Sequence, residues 1–261
     1  MRSAANHMMT TQQSKIQNQQ SEIKNSQSEI RNPKSEIHAA AGGGVMAFLQ
    51  VRMGSKRLPG KALMKIHGRS IFERAISRLR ASPAVDAVVA LTTRRGEDDA
   101  ITAECERLGV PFYRGPEDDV LARFFEASEV FRPEIVIRAT ADNPLIEIGS
   151  IERIVAALRS FGLDYCMEKD LPYGAATEAM TAAALARTHA AASDPEHREH
   201  VTIYIKEHPG NFRILLLDPP ATVRRPDIRV TVDTREDFAA IERLIGCFPE
   251  TDRPRPLQDY F

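Results

Sequence analysis

The chain has few of the features that mark secreted, membrane-spanning or nucleic-acid-binding proteins. Its three cysteines, Cys105, Cys166 and Cys247, are far apart and odd in number, so neither a disulfide framework nor a zinc ribbon is predicted. It has no run of about 18 apolar residues, and its start lacks the apolar core of a secretory signal. The net charge of −1 argues against nucleic acid as a partner. We therefore expect a cytoplasmic protein with no membrane or nucleic-acid partner and with buried, reduced thiols.

Residues 1–45 differ in kind from the rest of the chain. They are polar, and a Ser-Lys/Glu-Ile triplet recurs every seven residues, at 14–16, 21–23, 28–30 and 35–37. A coiled coil needs two apolar residues per heptad, whereas each repeat has one, and Pro33 interrupts the last repeat. We predict a disordered, low-complexity extension. A tandem DNA repeat read upstream of a true start near Val45 or Met46 would give the same pattern, and we favour that explanation.

The remaining chain alternates between strand and helix patterns. With 43% hydrophobic residues it can bury a full core, and we expect one domain over 46–250 with a tail at 251–261. Helices are predicted after Ser70 as N-cap, up to Gly109, and after Asp119 as N-cap. Strands are predicted at 45–49, 85–91, 110–113 and 134–138, and a fourth helix at 151–158. This order indicates a Rossmann-like, doubly wound α/β fold with a mostly parallel sheet and ligands beyond the carboxyl ends of the strands.

The loop from Gln50 to Lys61 follows the first strand and is the most informative segment. It holds two glycines and four cations: Arg52, Lys56, Arg57 and Lys61. Glycine lets a backbone approach a phosphate closely, and the cations neutralise its charge, so the loop predicts a triphosphate site. A P-loop does not fit, because five residues separate the glycines and Ala62 replaces the hydroxyl residue. A plain cationic surface turn is the remaining alternative, and it rarely follows an apolar strand.

Two aspartates follow predicted strands and are candidate magnesium ligands. Asp142 lies past the strand at 134–138, and Asp233 follows an apolar segment at 229–232 that we predict to be a strand. Each has a structural alternative, since Asp142 precedes Asn143-Pro144 in a turn and Asp233 could cap a helix beginning near Arg235. Their shared position at strand ends favours the metal site.

The segment from Gln50 to Leu63 closely resembles the opening signature of the cytidylyltransferases that activate acidic sugars, including 3-deoxy-manno-octulosonate and acylneuraminate cytidylyltransferases. It is most similar to the branch associated with spore-coat polysaccharide biosynthesis, over about residues 46 to 245. The resemblance implies a fold of the nucleotide-diphospho-sugar transferase type. It also implies Mg²⁺-dependent transfer of CMP from CTP to an acidic sugar or related anionic acceptor, with release of pyrophosphate, for surface polysaccharide biosynthesis. Residues 168–222, which break the strand–helix rhythm with two helix patterns and a strand at 212–217, would form an inserted arm that covers the acceptor and packs against a second subunit of a homodimer.

The same resemblance assigns roles to individual residues. The predicted catalytic residues are Arg52, Arg57, Lys61 and Asp142, and the predicted metal ligands are Asp142 and Asp233. The predicted nucleotide-binding residues are Gln50, Arg52, Met53, Gly54, Ser55, Arg57, Lys61, Arg114, Gly115, Arg138 and Thr140. The predicted acceptor-binding residues are Asn143, Tyr173, Gly174, Glu178, Arg198 and His200. The alternative for Glu178 is that it only holds the arm in place.

The chain departs from the family pattern at three positions. Ala141 stands where the family usually has Gly, Ala176 where an Asp is frequent, and Ile203 where Pro is usual. Two other functions therefore remain open. One is a glycosyltransferase that uses a nucleotide-sugar with the same metal geometry, and the other is a nucleotide-binding module whose acceptor pocket has decayed, for which Ala176 is the best argument.

Overall fold

The computed structural model describes residues 43–261, so the prediction of disorder for residues 1–42 lies outside the described part. The strands are β1 (Val45–Gln50), β2 (Lys65–Ile66), β3 (Arg69–Ser70), β4 (Ala87–Thr93), β5 (Phe112–Gly115), β6 (Ile135–Thr140), β7 (Tyr165–Glu168), β8 (Glu178–Thr181) and β9 (Ile214–Leu217). The α-helices are α1 (Ile71–Ala81), α2 (Asp99–Leu108), α3 (Val120–Phe131), α4 (Ile148–Ser160), α5 (Ala182–Ala191), α6 (Pro195–His200), α7 (Ile203–Glu207) and α8 (Arg235–Gly246). None of the helices in this range is long and apolar enough to cross a bilayer.

Seven strands form one mixed sheet in the order β5-β4-β1-β6-β8-β7-β9. β5, β4, β1 and β6 are parallel to one another, β8 is antiparallel to both β6 and β7, and β9 is parallel to β7. The predicted mostly parallel, doubly wound sheet is thus confirmed. The chain runs from β1 outward through β4 to β5 and then returns to the other side of β1 as β6, so the winding reverses between β1 and β6.

Apolar side chains cover both faces of the sheet. Along β1, Ala47 and Leu49 point into one core, and Met46 and Phe48 point into the other. Helices α1, α2 and α4 supply the first core, and helices α3, α5 and α7 supply the second. This two-sided burial explains why β1 reads as a continuous apolar run.

Three predicted helix caps are confirmed by their hydrogen bonds. The Ser70 hydroxyl accepts from the Glu73 amide at 3.0 Å, and the Asp119 carboxylate accepts from the Ala122 amide at 2.8 Å. Helix α2 ends at Gly109, which has φ of +59°. Strand β4 begins two residues later than predicted. The reason is that Val85 closes a turn with Ser82, and the Asp86 carboxylate accepts from the Val45 amide at 2.7 Å.

Residues 168–222 are more closely integrated into the fold than predicted. They contribute β8 and β9 to the main sheet and three helices, α5 to α7, rather than two. Strands β7 and β8 were not predicted. Each is four residues long and mostly buried, so neither presents the alternation of a half-exposed strand.

The strand predicted at 229–232 is not formed. Among the described residues, one isolated bridge pairs the segment, between Tyr173 and Arg229. The Val230 amide donates to the Tyr173 carbonyl at 2.8 Å, whereas the Val232 amide donates to the Asp142 carbonyl at 2.9 Å. Because these partners belong to different segments, no ladder develops.

A third, smaller core joins the C-terminal part of the domain to the β2–β3 hairpin. Leu58 and Ile66 pack there with Val232, Ile241 and the tail residue Leu257. The tail at 251–261 is therefore anchored on the domain. Among the cysteines, Cys105 and Cys166 are buried as predicted, whereas the prediction was wrong for Cys247, which is exposed at the end of α8.

Candidate active site

The predicted site residues that follow β1 and β6 meet where the winding of the sheet reverses. The Ala141 amide donates to the Gln50 carbonyl at 2.9 Å, so the two strand ends stay joined beyond the sheet. The cationic loop leaves β1 at this point, and Asp142 follows β6. In open α/β sheets, this switch point is where ligands bind.

Backbone hydrogen bonds hold the cationic loop in a closed turn. The Met53 carbonyl accepts from the Ser55 amide at 2.8 Å and from the Gly60 amide at 3.0 Å, and Gly60 adopts φ of +73°. Arg52, Lys56 and Arg57 project from the turn into solvent. The loop therefore presents cationic side chains on an ordered backbone, as phosphate binding requires.

Asp98 anchors this loop and was not predicted as a site residue. Its buried carboxylate accepts from the Met53 amide at 2.7 Å and from the Thr93 amide at 3.2 Å. In the sequence it lies in an acidic run before α2 and looks like a helix cap. It occupies the N-cap position but makes no side-chain cap bond, because the carboxylate turns towards the loop.

Lys61 joins the loop to both candidate metal ligands. Its Nζ donates to Asp142 Oδ2 at 2.9 Å, to Asp233 Oδ1 at 2.9 Å and to the Val232 carbonyl at 2.8 Å. Both carboxylate oxygens accept from the same Nζ atom, so the distance between the two oxygens is at most the sum of their distances to Nζ. The structure thus brings Lys61, Asp142 and Asp233 into one cluster, while their catalytic and metal-binding roles stay predictions.

Three cations surround Asp233. Besides Lys61, Arg57 Nη2 lies 3.0 Å and Arg229 Nη2 lies 2.6 Å from its carboxylate oxygens. Burial tends to raise the pKa of the Asp233 carboxyl, but the hydrogen bonds and charges of these cations outweigh burial and lower it. Asp233 does not cap α8, since Thr234 is the N-cap. The structural alternative for Asp233 is therefore wrong.

The oxygen atoms of Asp142 and Asp233 match the donor type that Mg²⁺ prefers. The Lys61 ammonium stands where a cation would bind between two carboxylates. No group of three or more His, Cys, Asp or Glu side chains in residues 43–261 could enclose a metal alone. Mg²⁺ is commonly held by one or two carboxylates together with waters and substrate phosphates, so two aspartates fit this ion.

Two predicted acceptor residues, Tyr173 and Gly174, lie beside the Asp233 segment. The Tyr173 amide donates to the Ile228 carbonyl at 2.8 Å, and the Arg229 guanidinium stacks 4.8 Å from the centre of the Tyr173 ring. Gly174 has φ of +97°, and a Cβ there would lie 2.7 Å from the Thr231 backbone nitrogen. The structure therefore places both residues next to the carboxylate cluster.

Arg229 contacts both Tyr173 and Asp233 and was not predicted. In a strand, the Cα atoms of residues four apart lie about 13 Å from each other, so the strand predicted at 229–232 gave no reason to expect a contact between Arg229 and Asp233. Asn143, another predicted acceptor residue, lies next to Asp142. Its Nδ2 donates to the Thr140 hydroxyl at 2.9 Å.

The structure gives Glu178 and Arg138 an internal role. The Glu178 carboxylate accepts from Arg138 and Lys206, each at 2.6 Å, and from the hydroxyls of Tyr165 and Thr202. Burial opposes ionisation, but the charges of Arg138 and Lys206 and these hydrogen bonds outweigh it and lower the Glu178 pKa to about 2. This network joins β6, β7, β8 and α7, in line with the alternative that Glu178 holds the arm. Contacts of Glu178 with an acceptor and of Arg138 with a nucleotide stay predictions.

Arg198 and Arg114 are also engaged within the fold. Arg198 pairs with the Asp119 carboxylate, Nε to Oδ2 at 2.9 Å, and thus connects α6 to the start of α3. Arg114 donates to the Thr93 carbonyl at 2.7 Å and to Asp99 at 2.6 Å. His200 is exposed at the end of α6. Their ligand contacts stay predictions.

Arg123 is a further residue that the sequence did not single out. It is 1% exposed and donates to the carbonyls of Pro116 and Glu117, but its Nη1 has no partner among the described residues. Burial, and then the charge of Arg52, lower its pKa to about 10. A Cβ at Gly115 would lie 2.7 Å from the Arg123 Cγ, so the glycine makes room for this arginine. The Gln50 Oε1 is likewise buried without a partner.

The chain is similar to several known proteins. Residues 46–256 match the model of the family described as Cytidylyltransferase. The chain is 33% identical over 205 residues to the spore coat polysaccharide biosynthesis protein SpsF of Bacillus subtilis, covering 77% of this chain and 85% of that protein. It is 40% identical over 194 residues to an uncharacterized protein of Methanocaldococcus jannaschii, covering 74% and 80%. A solved cytidylyltransferase of Leptospira borgpetersenii superposes with a TM-score of 0.75 at 26% identity, covering 83% of this chain and 91% of that chain.

Proposed function

The chain belongs to the cytidylyltransferase family and is a nucleotidyltransferase, and from this we propose that it transfers CMP from CTP to an acidic sugar or related anionic acceptor. Pyrophosphate leaves, and the activated sugar serves surface polysaccharide biosynthesis. The name of the Bacillus relative and the signature from Gln50 to Leu63 support the polysaccharide role and the acceptor class. The cytoplasmic location and the homodimer stay predictions.

The observation that carries this proposal is the Lys61 cluster beside the cationic loop. The loop contributes the exposed Arg52 and Arg57 for a triphosphate, and Lys61 ties it to Asp142 and Asp233. The site therefore combines several cationic side chains with two carboxylates that lie in contact with them. The cations suit the phosphates of a nucleotide, which must be neutralised, and the carboxylates suit a metal ion that accompanies those phosphates.

We assign Asp142 and Asp233 as the residues that would hold Mg²⁺. The ion, when bound, supplies positive charge that neutralises the triphosphate and stabilises the charge of the departing pyrophosphate. A divalent cation would compete with Lys61 for these two carboxylates, so we expect Lys61 to move away from them in the metal-bound protein. Its flexible four-carbon stem permits that movement.

The protein's own residues contribute positioning and charge. The acceptor hydroxyl attacks the α-phosphorus as the bond to the pyrophosphate oxygen breaks, and this in-line reaction needs alignment more than covalent help. The ordered loop backbone orients the phosphates, and Arg52 and Arg57 balance the charge on the pyrophosphate. Tyr173 and Gly174, beside Asp233, border the acceptor.

Pyrophosphate release from CTP tests the proposal. The assay uses a panel of acidic sugars with wild type, Asp142→Asn, Asp233→Asn and the control Asp227→Asn, whose carboxylate pairs with Arg225 at the surface. Loss of a transition-state charge contact costs about 10²–10³ in kcat, so we expect that reduction in the two site variants and none in the control. Near-normal turnover of Asp142→Asn at saturating Mg²⁺ contradicts the assignment.

The same assay separates the alternative functions. A glycosyltransferase releases no pyrophosphate from CTP with any acceptor. A decayed module binds CTP in a calorimeter and turns over no acceptor at all. The proposal requires acceptor-dependent pyrophosphate release with at least one anionic sugar.

A further inference from the structure

A second cleft lies apart from the cationic loop, between α1, the end of α8 and the C-terminal residues. None of the predicted site residues lines it. Its walls carry a single carboxylate, Glu250, and a set of five arginines: Arg69, Arg74, Arg78, Arg253 and Arg255. The side chains of Phe248 and Tyr260 form apolar parts of the wall. Five guanidinium groups outnumber the one carboxylate that lines this small cleft, and such an excess of positive charge favours a bound anion.

Arg78 supplies the strongest evidence that the cleft accepts an anion. It is 3% exposed, its Nε donates to the Ile146 carbonyl, and its Nη1 donates to the Arg255 carbonyl at 2.8 Å. Its buried Nη2 has no hydrogen-bond partner among the described residues. Burial lowers its pKa to about 10, so the group stays charged at neutral pH. A buried charged donor without an acceptor is costly, and an oxyanion would remove that cost.

Other arginines of the cleft also have free donors. Arg69 and Arg253 make no side-chain hydrogen bond or ion pair with another described residue. Arg74 pairs with Glu250 through Nη2, but its buried Nε has no partner within residues 43–261. The single carboxylate of the wall is therefore engaged by one arginine, and Arg255 lies 3.9 Å from Asp259, whereas the charges of Arg69 and Arg253 have no partner among the described residues.

We propose that this cleft is a binding site for a phosphate-type oxyanion. The planar fork of a guanidinium donates two parallel hydrogen bonds to a tetrahedral oxyanion, and several forks can converge on one such group. Inorganic phosphate and the phosphate group of a sugar phosphate present this same chemistry. The apolar wall beside the arginines would exclude water and strengthen the contacts.

The cleft is connected to the Asp142 turn. Pro144 and Leu145 line it, and the Ile146 carbonyl accepts from Arg78. These residues directly follow Asp142 and Asn143. An anion that fixes Arg78 therefore also steadies the segment that carries a predicted metal ligand.

Titration calorimetry at constant ionic strength tests the site with inorganic phosphate and with glucose 1-phosphate as probes. The loop also carries cations, so Arg57→Gln identifies binding at the loop. Arg69→Gln and Arg253→Gln remove cleft charges that have no partner in the described fold, and they should leave folding intact. Arg159→Gln, at an exposed surface pair with Glu134, is the matched control for loss of one positive charge.

We expect one binding component that persists in Arg57→Gln and Arg159→Gln and weakens at least about tenfold in Arg69→Gln and Arg253→Gln. If one probe binds more tightly than the other, the result supports the site and shows whether the site prefers inorganic phosphate or a sugar phosphate. Circular dichroism and the Tm check that each variant is folded. Binding that disappears entirely in Arg57→Gln, or that is equal in Arg253→Gln and Arg159→Gln, overturns the proposal, as does binding of neither probe.

Discussion

Replacing Glu178 by Gln should destabilise the fold. In the native state the Glu178 pKa is about 2, against 4.5 for an unperturbed glutamate. One pKa unit corresponds to about 1.4 kcal/mol, so ionised Glu178 contributes about 3 kcal/mol to the free energy of unfolding at pH 7. The substitution also leaves Arg138 and Lys206 without their carboxylate. For a domain of this size we expect the Tm to fall by about 10 °C.

The pH dependence has a defined sign. The folded-state pKa is depressed, so the contribution is complete above the unfolded-state pKa and is lost as the pH falls towards the folded-state value. Between pH 4.5 and pH 2 the unfolded chain takes up a proton that folded Glu178 does not. About 1 kcal/mol of the difference between wild type and variant should already be lost at pH 4.

Urea unfolding followed by circular dichroism at pH 7, 5 and 4 measures this difference. Glu134→Gln is the control, because Glu134 makes an exposed pair with Arg159, and such pairs contribute about 0–1 kcal/mol. Equal stabilities of the two variants, or a difference that does not change with pH, would refute the reasoning. An unchanged Tm with a raised KM for the acceptor would instead favour the predicted acceptor role of Glu178.

Three further predictions concern the turn at Gly174, the Asp98 anchor of the cationic loop and the metal ion. Gly174→Ala should lower the free energy of unfolding by about 3 kcal/mol, because φ at Gly174 is +97° and the new Cβ would collide with the Thr231 backbone. Gly210 has open space around it, so Gly210→Ala should lower that free energy by less than about 1 kcal/mol. Thermal unfolding of the two variants measures both effects. Asp98→Asn should raise the KM for CTP about tenfold, because it weakens the hydrogen bond from the Met53 amide that anchors the loop. Asp118→Asn is the control, since Asp118 is exposed and the substitution should leave the KM unchanged. Initial rates at varied CTP concentration measure the KM, and equal values for the two variants would contradict the prediction. EDTA should abolish pyrophosphate release and Mg²⁺ should restore it; activity unaffected by chelation would rule out the metal site.

Sequence reasoning succeeded where the signal is local. Ser70, Gly109 and Asp119 mark helix ends because capping depends on residues within one turn. Strand β1 was also predicted correctly, since its continuous apolar run is typical of a buried strand. The alternation of these elements was sufficient to predict the parallel half of the sheet.

The rest depends on contacts that no local pattern encodes. Strand β8 inserts antiparallel between β6 and β7, and its pairing is decided by burial on both faces rather than by its own four residues. In the sequence, Asp98 looks like a helix cap, and only the structure shows that it accepts a hydrogen bond from the Met53 amide, 45 residues earlier. Arg229 likewise gains its role only through contacts with Tyr173 and Asp233, which the predicted strand did not suggest.

The sequence separation of the Lys61 contacts has a consequence for biosynthesis. Lys61 and Asp233 are 172 residues apart, although their side chains touch. A chain emerging from the ribosome therefore exposes its cationic turn long before the second carboxylate exists to balance it. Enzymatic activity should therefore appear only after residue 233 has been synthesised. A chain truncated before residue 233 should bind anions without selectivity and should not catalyse the transfer reaction.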